Sequence, residues 1–144
     1  MTDTRYSRRP LAAWYWVAAT ASLLIMAVGC AYYLFWVTSD PTSLPIDQRA
    51  AIAAEPLWVT SAFAVAVWTG LAGSALLLVR RKIAQPLLLV SVIAVAAWLA
   101  GLLAVAELRR LISANDIAVA IGFAAIVWTI FWFARHSSQR GWLR

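Results

Sequence analysis

Residues 57–79 read LWVTSAFAVAVWTGLAGSALLLV, 23 residues without Asp, Glu, Lys, Arg or His, and they run directly into Arg80-Arg81-Lys82. As a helix this stretch would measure about 34 Å at 1.5 Å per residue, enough to cross a hydrocarbon core of about 30 Å. The apolar residues are continuous rather than alternating, so a half-buried strand is excluded. A helix also pairs its own amides and carbonyls, which lipid cannot do for an open sheet. One such run, ended by three cations, already predicts a spanning segment.

Working outward, charge is also absent from Leu11–Val37, Ile83–Ala106 and Ile117–Ala134, runs of 27, 24 and 18 residues. The chain of 144 residues is 64% hydrophobic and 12% charged, about half the charge that a water-facing domain carries. The expected fold is therefore all-α. It is an integral membrane four-helix bundle with helices near 11–37, 57–79, 83–106 and 117–134, forming one domain over 1–144 with tails at 1–10 and 135–144. No extramembrane catalytic unit fits in the remaining length.

The cations set the expected topology. Arg5, Arg8, Arg9, Arg80, Arg81, Lys82, Arg135, Arg140 and Arg144 fall on one side of such a bundle, and Arg49, Arg109 and Arg110 on the other. Nine against three obeys the positive-inside rule and puts both termini in the cytoplasm, with Arg8, Arg9, Arg80, Arg81, Lys82 and Arg135 as the main determinants. The net charge of +6 thus marks orientation on a lipid bilayer and not nucleic-acid binding, because the cations lie in three clusters that each abut an apolar run.

Most aromatic residues fall at the ends of the runs, as expected for interfacial anchors: Trp14, Tyr15 and Trp16, then Tyr32, Tyr33, Phe35 and Trp36, Trp58, and Phe131, Trp132 and Phe133. Trp68, Trp98 and Trp128 lie nearer mid-membrane and are candidate ligand contacts there. The connection 38–56 opens with turn formers and becomes alanine-rich, with Pro45 and Pro56 suited to helix starts. It predicts a short extramembrane helix in the first outer loop. Arg80 to Pro86 leaves room only for a tight hairpin. In the second outer loop Asn115 or Asp116 could cap the fourth helix, and Glu107 is expected to pair with Arg110.

Helices in lipid associate through close fit at small residues. Ala62, Ala66, Gly70 and Ser74 recur every fourth residue, with Thr69 and Gly73 widening the stripe. Ala97 and Gly101, Ala118 and Gly122, and Ala18 and Ser22 offer shorter versions. Internal packing is the simpler reading of these positions, and docking onto another protein the alternative.

Chemistry is scarce. Cys30 follows Ala27-Val28-Gly29, but the chain stays apolar for seven more residues, unlike a cleaved lipoprotein. A single cysteine cannot pass electrons through a disulfide pair. His136 is the one histidine and is expected in the polar tail, so no haem or metal ligands lie inside the bundle. No ionisable group falls within a run, which removes the usual device of ion coupling. A serine triad and a phosphate-binding loop are also missing. No enzyme activity and no cofactor is expected.

Trp14-Tyr15-Trp16, Gly29 with Tyr32 and Tyr33, Pro56-Leu57-Trp58, Ala62-Phe63, Gly70 to Gly73, Arg80-Arg81, Pro86-Leu87, Ala134-Arg135 and Arg140-Gly141-Trp142-Leu143 together resemble a family of short proteobacterial inner-membrane proteins, sometimes labelled sugar transporters. The resemblance spans nearly the whole length and implies a four-helix inner-membrane protein. Its members often carry a polar residue midway along the third helix, where this chain has Ala97 and Trp98. The expected function is an accessory or scaffold subunit of the bacterial inner membrane, docking on other membrane proteins or on itself. The alternatives are a small oligomeric transporter of an uncharged solute, lined by Trp68, Trp98, Thr69 and Ser74, and a lipid- or pigment-binding protein.

Overall fold

The computed structural model describes residues 12–143. It consists of α1 (Ala13–Thr38), a single 3-10 turn (Pro41–Ser43), α2 (Ile46–Ala54), α3 (Leu57–Leu78), α4 (Ala84–Ala104), α5 (Ala106–Leu111) and α6 (Ala114–Gln139), with no strand among the described residues. Four of these helices, α1, α3, α4 and α6, are long and apolar enough to cross a membrane. The chain is an all-helical, multi-pass membrane protein. The expected determinants Arg8 and Arg9 lie outside the described residues.

Packing runs in the order α1, α3, α4, α6. Helix α3 packs on both α1 and α4, and α4 on α6, whereas α1 and α6 share no extended backbone contact. The α3–α4 seam is built on the small-residue stripe. A methyl group on Gly73 would lie 2.7 Å from Leu88 Cγ, and one on Gly70 would lie 2.6 Å from Met26 Sδ and 3.0 Å from Ser91 Oγ. The Ser91 hydroxyl donates to the Ala66 carbonyl at 2.7 Å, and the Cys30 thiol to the Val67 carbonyl at 3.4 Å, tying α4 and α1 to α3. Gly101 does the same for the start of α3, since a methyl there would meet Val59 at 2.7 Å and Trp58 at 2.8 Å. Ala66, Gly70, Gly73, Ser74 and Gly101 are buried inside the chain and Ala62 is half-buried.

Gly122 differs. It is exposed, and nothing would lie within 4 Å of an added methyl group, so it packs nothing within this chain.

The helix ends follow local chemistry. Pro45 and Pro56 sit immediately before the first helical residues of α2 and α3. Helix α6 starts three residues earlier than its apolar run, because Ser113 accepts from the Asp116 amide while the Asp116 carboxylate accepts from the Ser113 amide, a reciprocal capping box. Asp116 therefore serves at the third helical position and not as the cap itself.

At the opposite end α3 and α6 both stop in the same left-handed turn. The Arg80 and Arg81 amides donate to the Leu77 and Leu76 carbonyls, and the Gly141 and Trp142 amides to those of Ser138 and Ser137. Gly141 takes a φ of +70° at no cost, whereas Arg80 adopts +62° with a side chain.

Two further expectations are corrected. Residues 135–143 are not a solvated tail: α6 continues to Gln139, and Gly141 turns Trp142 and Leu143 back into the core. His136 accordingly lies in the last turn of α6, stacked on Trp132 at 5.4 Å. Among the described residues Glu107 and Arg110 form no ion pair. Both are exposed on the short helix α5, where hydration and side-chain entropy offset the attraction.

Candidate functional site

The basic ends of α1, α3 and α6 are fastened together. The Tyr15 hydroxyl donates to the Leu77 carbonyl at 2.7 Å, and Arg80 Nε to the Trp142 carbonyl at 2.8 Å. The Trp142 ring stands edge-on to Trp14 at 5.4 Å and to Tyr15 at 5.7 Å, with the Arg140 guanidinium 5.3 Å from its centre. Phe133 completes the cluster against Trp14 and Tyr15. Tyr15, expected as an interfacial anchor, is fully buried, and Phe131 and Phe133 are nearly so.

Among the described residues no comparable contact joins α1 directly to α6 at the acidic ends. There α1 and α6 stand apart and flank a half-open cleft of about 940 Å³, at the upper end of the ~300–1,000 Å³ typical of small-molecule sites. Leu24, Ile25, Val28 and Gly29 line it from α1, and Val119, Ala120 and Phe123 from α6. One wall is aromatic: Phe63 stands 4.7 Å from Trp98 and 5.9 Å from Phe123, with Tyr33 6.2 Å away. Phe123 reaches across toward Gly29, where a methyl group would lie 3.6 Å from its ring. Leu24 and Ile25 carry the lining about one turn further along α1 than Gly29.

Helices α2 and α5 pack on each other and contribute to the wall at the mouth. Helix α2 is held by its own loop. Arg49 Nε donates to the Leu44 carbonyl at 2.8 Å, and its terminal amine to the Thr42 carbonyl. The Asp40 carboxylate accepts from the Thr42 amide at 2.9 Å, and this bond holds its pKa below the usual value.

Asp47, Gln48, Glu55, Thr60, Ser113 and Asp116 supply the polar rim, with Tyr32, Tyr33 and Trp36 beside them. Burial pushes the Glu55 carboxyl above its ordinary pKa, with the Thr60 hydroxyl opposing the shift. Among the described residues no lysine or arginine lines the cleft.

Of the three mid-membrane tryptophans, only Trp98 lines this cavity. Trp68 and Trp128 are 47% and 59% exposed and face outward, as an apolar surface in lipid does. The other lining aromatics, Tyr32, Tyr33 and Trp36, had the signature of membrane-interface anchors. Their spacing of three and four residues puts them on one helix face, which was the available signal, but it does not say whether that face meets lipid or a cavity.

Among the described residues no group of three His, Cys, Asp or Glu side chains could hold a metal ion. The arrangement can enclose an apolar body and present carboxylates, hydroxyls and an amide to one end of it. Comparison with protein-family models, with curated proteins and with solved structures found no match.

Proposed function

We propose that this chain is a non-catalytic protein of the bacterial inner membrane that binds an apolar or amphiphilic molecule in the cleft between α1 and α6. The observation that carries the reading is the cavity itself: about 940 Å³, apolar along its depth and polar only at its mouth, the distribution that a molecule with a polar end and a hydrocarbon body requires. The nine-to-three division of cations along the sequence supports an orientation with both termini cytoplasmic and α2 extramembrane on the outer face.

The accessory-subunit reading loses much of its motive, because the small-residue stripe of α3 is consumed by Met26, Leu88 and Ser91 of the same chain. What favours it still is the outward face of α6 at Gly122 and Trp128. Passage through the bundle is not favoured, since among the described residues the lining reaches no further toward the basic ends than Leu24 on α1, Phe63 on α3, Trp98 on α4 and Phe123 on α6.

The test is tryptophan quenching in phosphatidylcholine vesicles by a chain brominated near its end. Tryptophan fluorescence should fall, and Ala120→Phe, which fills the cleft from α6, should restore the part of it that Trp98 contributes, leaving the quenching of lipid-facing Trp68 and Trp128 unchanged. Quenching that is equal in the two proteins, together with no amphiphile retained through purification, would overturn the reading. Native mass analysis of the same preparation registers any partner chain.

A further inference from the structure

The wall of the cleft runs from Leu24 to Trp36 on α1, about 18 Å of helix, which matches the length of a single fatty chain. An occupant that fills this length brings its other end to the mouth. Among the described residues the charges there are of one sign: Asp47, Glu55 and Asp116 line it, and no cation does.

The nearby cations are turned to other tasks. Arg49 is spent on the Thr42 and Leu44 carbonyls of its own loop, while Arg109 and Arg110 are exposed on α5 and do not line the cleft. Tyr32 lines the mouth together with Glu55 and Asp116, and its ring stacks with that of Trp36 at 6.2 Å. Aromatic faces beside carboxylates form a surface that attracts an ammonium group from two directions. An anionic headgroup would meet the Asp47 and Glu55 carboxylates and that of Asp116 in the α6 cap, with no cation among the described lining residues.

We infer that the occupant is a single-chain amphiphile with a cationic headgroup, its hydrocarbon lying along α1 and α6 and its charge held among Asp47, Glu55 and Asp116. This rests on the reading of the cleft as an amphiphile site and adds the sign of the headgroup.

The experiment compares three brominated chains of one length, ending in trimethylammonium, sulfate or a neutral glucoside, each as a minor component of phosphatidylcholine vesicles containing the full chain. Quenching that Ala120→Phe abolishes reports the cleft. The trimethylammonium chain should occupy it at about one tenth of the concentration that the glucoside needs, the ratio set by one net charge interaction of about 1.4 kcal/mol. The sulfate chain should bind more weakly still. In Asp47→Asn with Glu55→Gln, which leaves the α6 cap intact, the ratio of trimethylammonium to glucoside binding should shrink toward parity.

Equal binding of all three chains, or a preference for sulfate, would overturn the inference and leave the cleft reading standing. A cationic preference unchanged in the double variant would also overturn it. Quenching by none of the three that depends on Ala120 would remove the cleft reading itself. Glucoside binding in the double variant shows that the cleft is still folded.

Discussion

At Gly73 a hydrogen is all that separates α3 from Leu88, because a methyl group there would sit 2.7 Å from Leu88 Cγ and 3.4 Å from its backbone nitrogen. Gly73→Ala should therefore destabilise the protein by about 1–3 kcal/mol, as overpacking does, despite a gain of up to about 1 kcal/mol in helix propensity. Gly122→Ala meets nothing within 4 Å and should be neutral or slightly stabilising. Unfolding in mixed micelles separates the two, and equal effects would mean that the α3–α4 seam is not closely packed. These glycines have the same sequence signal, a small residue spaced from another, so their burial was not legible; it depends on which helix arrives opposite. Glu55 carries a pH prediction. Its folded pKa is raised by burial, so the folded state holds the proton more tightly than the unfolded chain does. Stability should then be greatest below the ordinary carboxylate range and fall as pH rises through the window between that value and the raised one. Glu55→Gln should flatten this fall, as read from unfolding at stepped pH, and a steeper fall in the variant would show the sign to be wrong.

The elements were legible where composition decides them and illegible where geometry does. Uncharged runs located all four spanning helices, and Pro45 and Pro56 located two helix starts. The end of α6 was misjudged because Arg135, His136 and Gln139 are polar, and polarity reads as a tail although helix propensity and hydrogen bonding carry the backbone on to Gln139. Gly141 was the available clue. A glycine just past a helix is the usual left-handed terminator, and Trp142-Leu143 behind it supplies something to bury. Gly141→Ala should cost about 1–2 kcal/mol, the penalty of the left-handed region for a residue with Cβ. Trp142→Ala should cost more, about 3 kcal/mol for a nearly buried indole, and should also leave Arg80 Nε without a fixed carbonyl. The order of the two variants in micelle unfolding checks the latch; a harmless Trp142→Ala would show that the tail contributes nothing. Helix α2 depends on Arg49 in a similar way. Arg49→Met should speed amide exchange over residues 42–54 while leaving α3 and α4 protected, because both guanidinium contacts are confined to that loop.

On the scale of the whole molecule, the bundle is fastened at one end and parted at the other. Tyr15, Arg80 and Trp142 join α1, α3 and α6 at the basic end, while α1 and α6 flank the cleft at the acidic end. Sequence could not show this asymmetry, because the order α1, α3, α4, α6 leaves the outer pair unconstrained and only tertiary contacts decide whether they close. An unfilled apolar cleft forfeits dispersion contacts along both walls, so its width should respond to an occupant in a way that the fastened end does not. Spin labels at Val37 and Ala118 report the acidic end, and labels at Val17 and Arg135 the basic end; all four positions are exposed. The Val17–Arg135 distances should form a narrow distribution that is the same with and without a long-chain amphiphile. The Val37–Ala118 distribution should be broad without one and should narrow when the chain binds. Two narrow distributions insensitive to amphiphile would mean a rigid bundle whose cavity plays no part in binding. Broadening at the basic end would mean that the Tyr15–Leu77 bond and the Trp142 cluster do not hold the helices. In Trp142→Ala the basic-end distribution should broaden while the acidic end still narrows on binding, because the two ends are separated by the packed seam of Gly70, Gly73 and Ser91.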